Sequence, residues 1–120
     1  MKLNLINRVT PIDRLESVER SLNLPFEVLC KHDELTGFMT SGNKIRKLEY
    51  LLKTAQEENA DTVFTCGGIQ SNHCRATAVA ARSLGMKPVV FLRGQPNQMP
   101  QGNLLLDMLV GSDIYYVTKE

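Results

Sequence analysis

Apolar residues at Ile45, Leu48, Leu51, Leu52 and Ala55 recur at the spacing of one helical face, which predicts a helix from about residue 43 to about residue 58. Earlier in the chain, Leu15, Val18 and Leu22 fall on one side of a short helix that follows an extended entry at Thr10, with Pro11 near its start. Alternation at Phe26, Val28 and Cys30 predicts a short half-buried strand over 26–31, leading into a polar, turn-like segment over 31–37. A compact β-prone run over 62–66 stops at Gly67 and Gly68. Ser71 or Asn72 can then cap a helix carrying Ala76, Val79, Ala80 and Leu84, with Gly85 as its stop. The pattern continues with a strand over 88–92, a polar loop with Gly94, Pro96 and Pro100, a helix over 103–110 ended by Gly111, and a strand over 114–117. Strands alternating with helices predict an α/β fold, a parallel sheet with helices on both faces.

Length and composition narrow the partners. At 120 residues the chain suits one domain with its own core and is too short for two ordinary ones. A net charge of +1 gives no electrostatic case for nucleic acid or an anionic membrane, so the expected partners are small molecules or proteins. Residues 1–10 lack the continuous apolar stretch of a secretory signal and no run approaches membrane-spanning length, so a cytoplasmic protein is expected. The three cysteines, Cys30, Cys66 and Cys74, match neither a disulfide framework nor a zinc site. They are expected to be reduced, at least two of them filling small apolar spaces, and no metal is expected.

Candidate chemistry gathers at two places. Lys44 falls in the first turn of the 43–58 helix, where unpaired N–H groups carry partial positive charge and disfavour a cation, and Arg46 and Lys47 add to the repulsion. Such a setting favours the neutral amine, the nucleophile of Schiff-base chemistry. The same three cations also fit the solvated side of an amphipathic helix. The second place is Gly67-Gly68-Ile69-Gln70-Ser71-Asn72-His73, at the carboxyl end of a parallel strand, the edge where open α/β sheets bind ligands. Two glycines allow a tight turn and close approach, and the N–H groups of residues 70 to 73 suit a carboxylate or phosphate. A helix cap with no ligand explains the same residues equally well. The segment is neither a P-loop, since the Gly-Lys-Ser/Thr ending is absent, nor the Gly-x-Gly-x-x-Gly dinucleotide fingerprint.

Three stretches in this order and spacing, Lys31-His32-Asp33-Glu34-Leu35-Thr36-Gly37, Ser41-Gly42-Asn43-Lys44-Ile45-Arg46-Lys47-Leu48-Glu49 and Gly67-Gly68-Ile69-Gln70-Ser71-Asn72-His73-Cys74-Arg75, resemble the D-cysteine desulfhydrase and 1-aminocyclopropane-1-carboxylate deaminase family. These are pyridoxal-phosphate enzymes of the tryptophan-synthase-β-like fold, fold type II, and the resemblance covers about residues 10–94. It implies that Lys44 matches the lysine that forms the internal aldimine and moves the substrate proton, and that Lys47 matches one that helps hold the cofactor phosphate. Asn72 matches the residue that hydrogen-bonds the pyridine 3-hydroxyl, and Ser71 with neighbouring N–H groups matches the substrate-carboxylate site. His73 stands where the desulfhydrase branch more often has histidine and the deaminase branch glutamine, which implies a substrate-side role and D-cysteine as substrate. Lys44 and Lys47, three residues apart, share a helix face, so one can reach the aldehyde carbon while the other meets the phosphate.

Within the resemblance the pattern is incomplete. The later glycine-rich loop that cradles the cofactor phosphate, the group facing the pyridine nitrogen and the downstream aromatic residues of the substrate site have no counterpart in these 120 residues. Residues 1–120 are therefore expected to form the N-terminal part of such an enzyme, a homodimer when complete. The leading reading is a D-cysteine desulfhydrase-like lyase. Its alternatives are a 1-aminocyclopropane-1-carboxylate deaminase and a non-catalytic α/β module that binds small anions at the Gly67-Gly68 turn.

Overall fold

The computed structural model describes residues 1–6, 8–96 and 99–118. Its elements are β1 (Ile12–Arg14), α1 (Glu16–Ser21), β2 (Leu29–Lys31), α2 (Lys44–Glu57), β3 (Thr62–Gly68), α3 (Asn72–Ser83), β4 (Lys87–Arg93), α4 (Gly102–Leu109) and β5 (Asp113–Val117), with a 3-10 turn at Asp33–Leu35. Strands β3, β4 and β5 form a parallel sheet in that order, with Cys66 beside Phe91 and Phe91 beside Tyr115. Asn97 and Gln98, in the middle of the predicted polar loop, lie outside the described residues.

Helix α3 holds the assembly together because it is built from small residues. Ala76, Ala80 and Ala81 meet Ile45, Leu48 and Leu52 of α2, with Met86, in one buried cluster. Cys74 and Ala78 meet Val90, Leu92 and Leu104 in a second. A helix with small side chains on several faces lets its neighbours approach closely from each side. On α2 the buried face differs from the predicted one: Leu51 is 57% exposed, whereas Glu49 is buried. At about 100° per residue, Leu51 sits about 120° round from Ile45, outside the stripe that faces α3.

The parallel α/β architecture is the one that strand–helix alternation predicts, and among the described residues its helices cover one face. The order β3-β4-β5 advances in a single direction, and crossovers of one hand then place α3 and α4 on the same side. The opposite face carries Phe64, Cys66, Phe91 and Tyr115. Their rings stack with centroids 6.2 Å (Phe64–Phe91) and 5.4 Å (Phe91–Tyr115) apart, Phe64 being 67% and Tyr115 53% exposed. Of the cysteines, none of which is bonded to another, Cys74 is buried, Cys30 half-buried and Cys66 exposed.

The N-terminal region departs from its predicted elements. Ile12–Arg14 forms a strand antiparallel to Leu29–Lys31, and the helix starts only at Glu16. Pairing with a segment about 17 residues away decides this: the Leu15 N–H donates to the Val28 carbonyl at 2.9 Å, which holds the chain extended to that point. The strand expected over 26–31 keeps only its second half. Phe26 is exposed, because the Glu19 carboxylate accepts the Val28 N–H at 2.7 Å and Arg14 bridges Glu19 and Glu27 across the same stretch. No helix among the described residues is long and apolar enough to cross a membrane.

Candidate functional site

Lys44 leaves a braced loop as the first residue of α2. Gly42, at φ +103°, donates its N–H to the Asp33 carbonyl at 2.7 Å, and the buried Thr36 hydroxyl lies 2.9 Å from that carbonyl and 3.2 Å from the Gly42 carbonyl. The positive φ suits glycine. Arg46 clamps the same segment through a two-pronged contact with the Asp33 carboxylate, Nε to Oδ2 at 2.9 Å, and a bond to Thr10 Oγ1 at 3.0 Å. The Arg46 guanidinium holds the Asp33 carboxyl below its ordinary range. This corrects one expectation: Arg46 is spent on an ion pair, and Lys47 is the neighbouring cation left on the Lys44 side.

Half-buried Lys44 donates from Nζ to Asn43 Oδ1 at 2.8 Å. The charges of Lys44 and Lys47 both reach His73, whose imidazole is held below its ordinary range by burial first, then by Lys47 and Lys44. The starts of α2 and α3 therefore act on one another, and this setting favours the neutral form of His73.

The Gly67-Gly68 segment differs from its predicted turn. Both glycines continue β3, paired with Leu92 and Arg93, and the turn follows at Ile69 and Gln70, closed by the Ser71 N–H donating to the Gly68 carbonyl at 3.0 Å. That bond removes Ser71 from the N–H groups expected to face a ligand. Asn72 and His73, the first two residues of α3, keep N–H groups with no partner inside the helix. The Ser71 side chain caps α3 by accepting the Cys74 N–H at 3.2 Å. Gly67 is required by its own neighbours: a Cβ there would lie 2.6 Å from Ser71 Oγ and 2.8 Å from Cys74 Sγ. At Gly68 the same atom would meet open space.

Two further residues join the site. Arg75 is 4% exposed, and its guanidinium donates to the carbonyls of Met39 and Ser41, the latter at 2.8 Å, and to Asn103 Oδ1 at 2.9 Å. It ties the loop before Lys44 to the start of α3. Asn103, on α4, donates from Nδ2 to the Gln70 carbonyl at 2.8 Å and to Asn72 Oδ1 at 2.9 Å. The sequence holds two signals for Arg75, its place at the end of the third resembling stretch and a charge within an alanine-rich helix, and none for Asn103, which meets the site from 28 residues further on. A cavity of about 530 Å³ reaches the loop before Lys44 at Ser41 and another of about 390 Å³ reaches the end of β3 at Gly68, and neither is lined by Lys44, Lys47, Asn72 or His73. The donor set consists of two lysine side chains, an amide, a hydroxyl and two helix-start N–H groups. It suits a ligand that offers a carbonyl carbon and several anionic oxygens, as pyridoxal phosphate does.

Comparison with known proteins agrees with that chemistry. The family model described as pyridoxal-phosphate dependent enzyme matches residues 3–120. A putative 1-aminocyclopropane-1-carboxylate deaminase from Thermotoga maritima is 48% identical over 120 residues, all of this chain and 38% of the relative. A bifunctional, mitochondrial D-cysteine desulfhydrase/1-aminocyclopropane-1-carboxylate deaminase from Arabidopsis thaliana is 46% identical over 99 residues, 78% of this chain and 25% of the relative. A crystal structure of an ACC deaminase homologue superposes with a TM-score of 0.88 at 39% identity, covering 99% of this chain and 35% of the other. The chain thus spans well under half the length of the proteins it matches. With a match over nearly its whole length and a lysine-bearing helix start set against a Ser-Asn-His helix cap, the chain belongs to the family of pyridoxal-phosphate dependent enzymes.

Proposed function

We propose that this chain forms the lysine-bearing side of a pyridoxal-phosphate site in a D-cysteine desulfhydrase-like lyase, with Lys44 as the point of covalent attachment. The observation that carries the reading is the tie between the loop that leads into Lys44 and the start of α3, made by Arg75 through the Ser41 carbonyl and Asn72, with the charges of Lys47 and Lys44 acting on His73. When bound, the cofactor supplies the electron sink that makes the substrate α-proton acidic. Lys47 offers its ammonium to the phosphate and Asn72 its amide to the pyridine oxygen. Ser71 Oγ and the N–H groups of Asn72 and His73 bind the substrate carboxylate. The Lys44 amine takes the α-proton, and neutral His73 stands beside it on the substrate side. Overall, D-cysteine and water would give pyruvate, ammonia and hydrogen sulfide.

A second reading within the class is ring opening of 1-aminocyclopropane-1-carboxylate, with water, to 2-oxobutanoate and ammonia. It is favoured by the name of the 48% identical relative. Parallel product assays separate the two: sulfide with pyruvate supports the first, 2-oxobutanoate the second. The attachment itself is tested by borohydride trapping of pyridoxal phosphate on the chain, followed by peptide mapping. A single adduct at Lys44 that disappears in Lys44→Ala is expected, and labelling scattered over other lysines would overturn the assignment. Scattered labelling together with no turnover of either substrate would favour the non-catalytic α/β module.

A further inference from the structure

We infer that Arg75 and Asn103 are positioning residues that decide which end of the Asn72 amide faces the cofactor. This rests on the proposed cofactor contact of Asn72. A guanidinium can only donate. Arg75 Nε lies 2.9 Å from one end of the Asn103 amide, so that end is the oxygen. The other end is then Nδ2, and it lies 2.8 Å from the Gln70 carbonyl, which can only accept. The same Nδ2 lies 2.9 Å from the Asn72 amide, so the atom it meets is Asn72 Oδ1, which Arg75 Nη2 also approaches at 3.4 Å. Reversing the Asn72 amide would set donors against donors.

Asn72 Nδ2 is left as the outward end, with no partner among the described residues, on an exposed side chain. An N–H donor suits an anionic pyridine oxygen, whereas the reversed amide would present a carbonyl oxygen to it. Asn103 is itself fixed at the start of α4, because its N–H donates to Gln70 Oε1 at 2.8 Å and Gln70 Nε2 donates to the Gln101 carbonyl at 3.0 Å. Arg75 is buried and also holds the Met39 and Ser41 carbonyls, so one guanidinium sets both the Asn72 amide and the loop that delivers Lys44.

The test is Asn103→Asp, which keeps an acceptor for Arg75 and adds an acidic group at a helix start, where it is tolerated, but replaces the donor that orients Asn72. Pyridoxal phosphate is titrated into the full chain. The readouts are its dissociation constant, the pH midpoint of its visible absorption, and the melting temperature without cofactor. Asn103→Asp is expected to weaken binding about tenfold and to raise the midpoint by about one unit, since an oxygen that loses a donor holds its proton more tightly. Asn103→Ser, which removes the amide, is expected to shift both in the same direction by less. Neither variant should add to Asn72→Ala in the double mutant. The inference is overturned if Asn103→Asp leaves binding and midpoint unchanged, or shifts them equally with Asn72 already removed. Should Asn72→Ala alone change neither readout while the parent chain binds, the Asn72 contact itself is wrong; a parent chain that takes up no cofactor overturns the contact and the inference together.

Discussion

Asp107 is fully buried on α4, and neither carboxylate oxygen has a hydrogen-bond partner among the described residues. Burial pushes this acid up to about 7, and the charge of Arg75 only partly opposes it. Across the pH range from ordinary carboxyl values to about 7, the folded chain holds a proton here that the unfolded chain has released. Stability therefore falls as pH rises through that window and levels off above it, with a total cost of up to ~4 kcal/mol. Asp107→Asn is expected to flatten this dependence. Urea unfolding at pH 8 should show the variant more stable by a few kcal/mol, and the two chains should converge near pH 4; parallel curves at both pH values would contradict the assignment. The glycine pair offers a second comparison at this scale. Gly67→Ala forces a methyl group against Ser71 and Cys74, for an expected loss of about 1–3 kcal/mol and a lower melting temperature. Gly68→Ala enters open space in extended backbone and should melt within a degree or two of the parent.

Helix α2 carries an anchor as well as the catalytic candidate. Its buried Glu49 accepts bonds from Lys2 and from the N–H groups of Leu5 and Ile6, the latter two at 3.0 and 3.3 Å, and its own carbonyl accepts the Leu3 N–H at 2.9 Å. Burial pushes the carboxyl up, but these donors outweigh it and hold the group below its ordinary value. The stabilisation is then complete above the ordinary glutamate range and is lost as pH falls through the lowered folded value. Amide exchange at Leu5 and Ile6 should accelerate about tenfold in Glu49→Gln at pH 7, and the parent chain should approach the variant only in acid; equal protection in both at pH 7 would show that the segment is held by something else. The elements that carry this anchor and the site were legible in the sequence where their own pattern decides them: α2, α3, α4 and the three parallel strands stand close to their predicted spans. What was not legible depends on distant partners. The three-residue strand at Ile12–Arg14 exists through its pairing with Leu29–Lys31, Gly67 and Gly68 remain strand through Leu92 and Arg93, and Glu49 is buried because the N-terminal segment meets it there. For the same reason the motifs gave Lys44, Ser71 and Asn72 as candidates, while the Arg75–Asn103 bridge between them emerged only in three dimensions.

At the scale of the whole molecule the chain is more extended than its length requires. Its radius of gyration is 17.1 Å, against about 14 Å for a compact domain of this size. The two buried clusters lie on either side of α3, between α2 and the covered face of the sheet, and the uncovered face holds the Phe64–Phe91–Tyr115 stack with Cys66 beside it. Stacking of the rings on one another recovers part of the cost of hydrating them but leaves their outer surfaces in water. A contiguous aromatic face of this kind gives a direct expectation for the isolated 120-residue chain: it should bind an environment-sensitive dye such as anilinonaphthalene sulfonate at neutral pH while keeping its far-ultraviolet circular dichroism. Phe64→Thr with Tyr115→Thr keeps β-prone side chains on the outer strands and removes the rings. Dye fluorescence should then fall several-fold with the circular dichroism unchanged. Dye binding that survives the double substitution would mean that the apolar surface responsible lies elsewhere, and would shift attention to the exposed Phe26 and Leu29 beside the N-terminal hairpin.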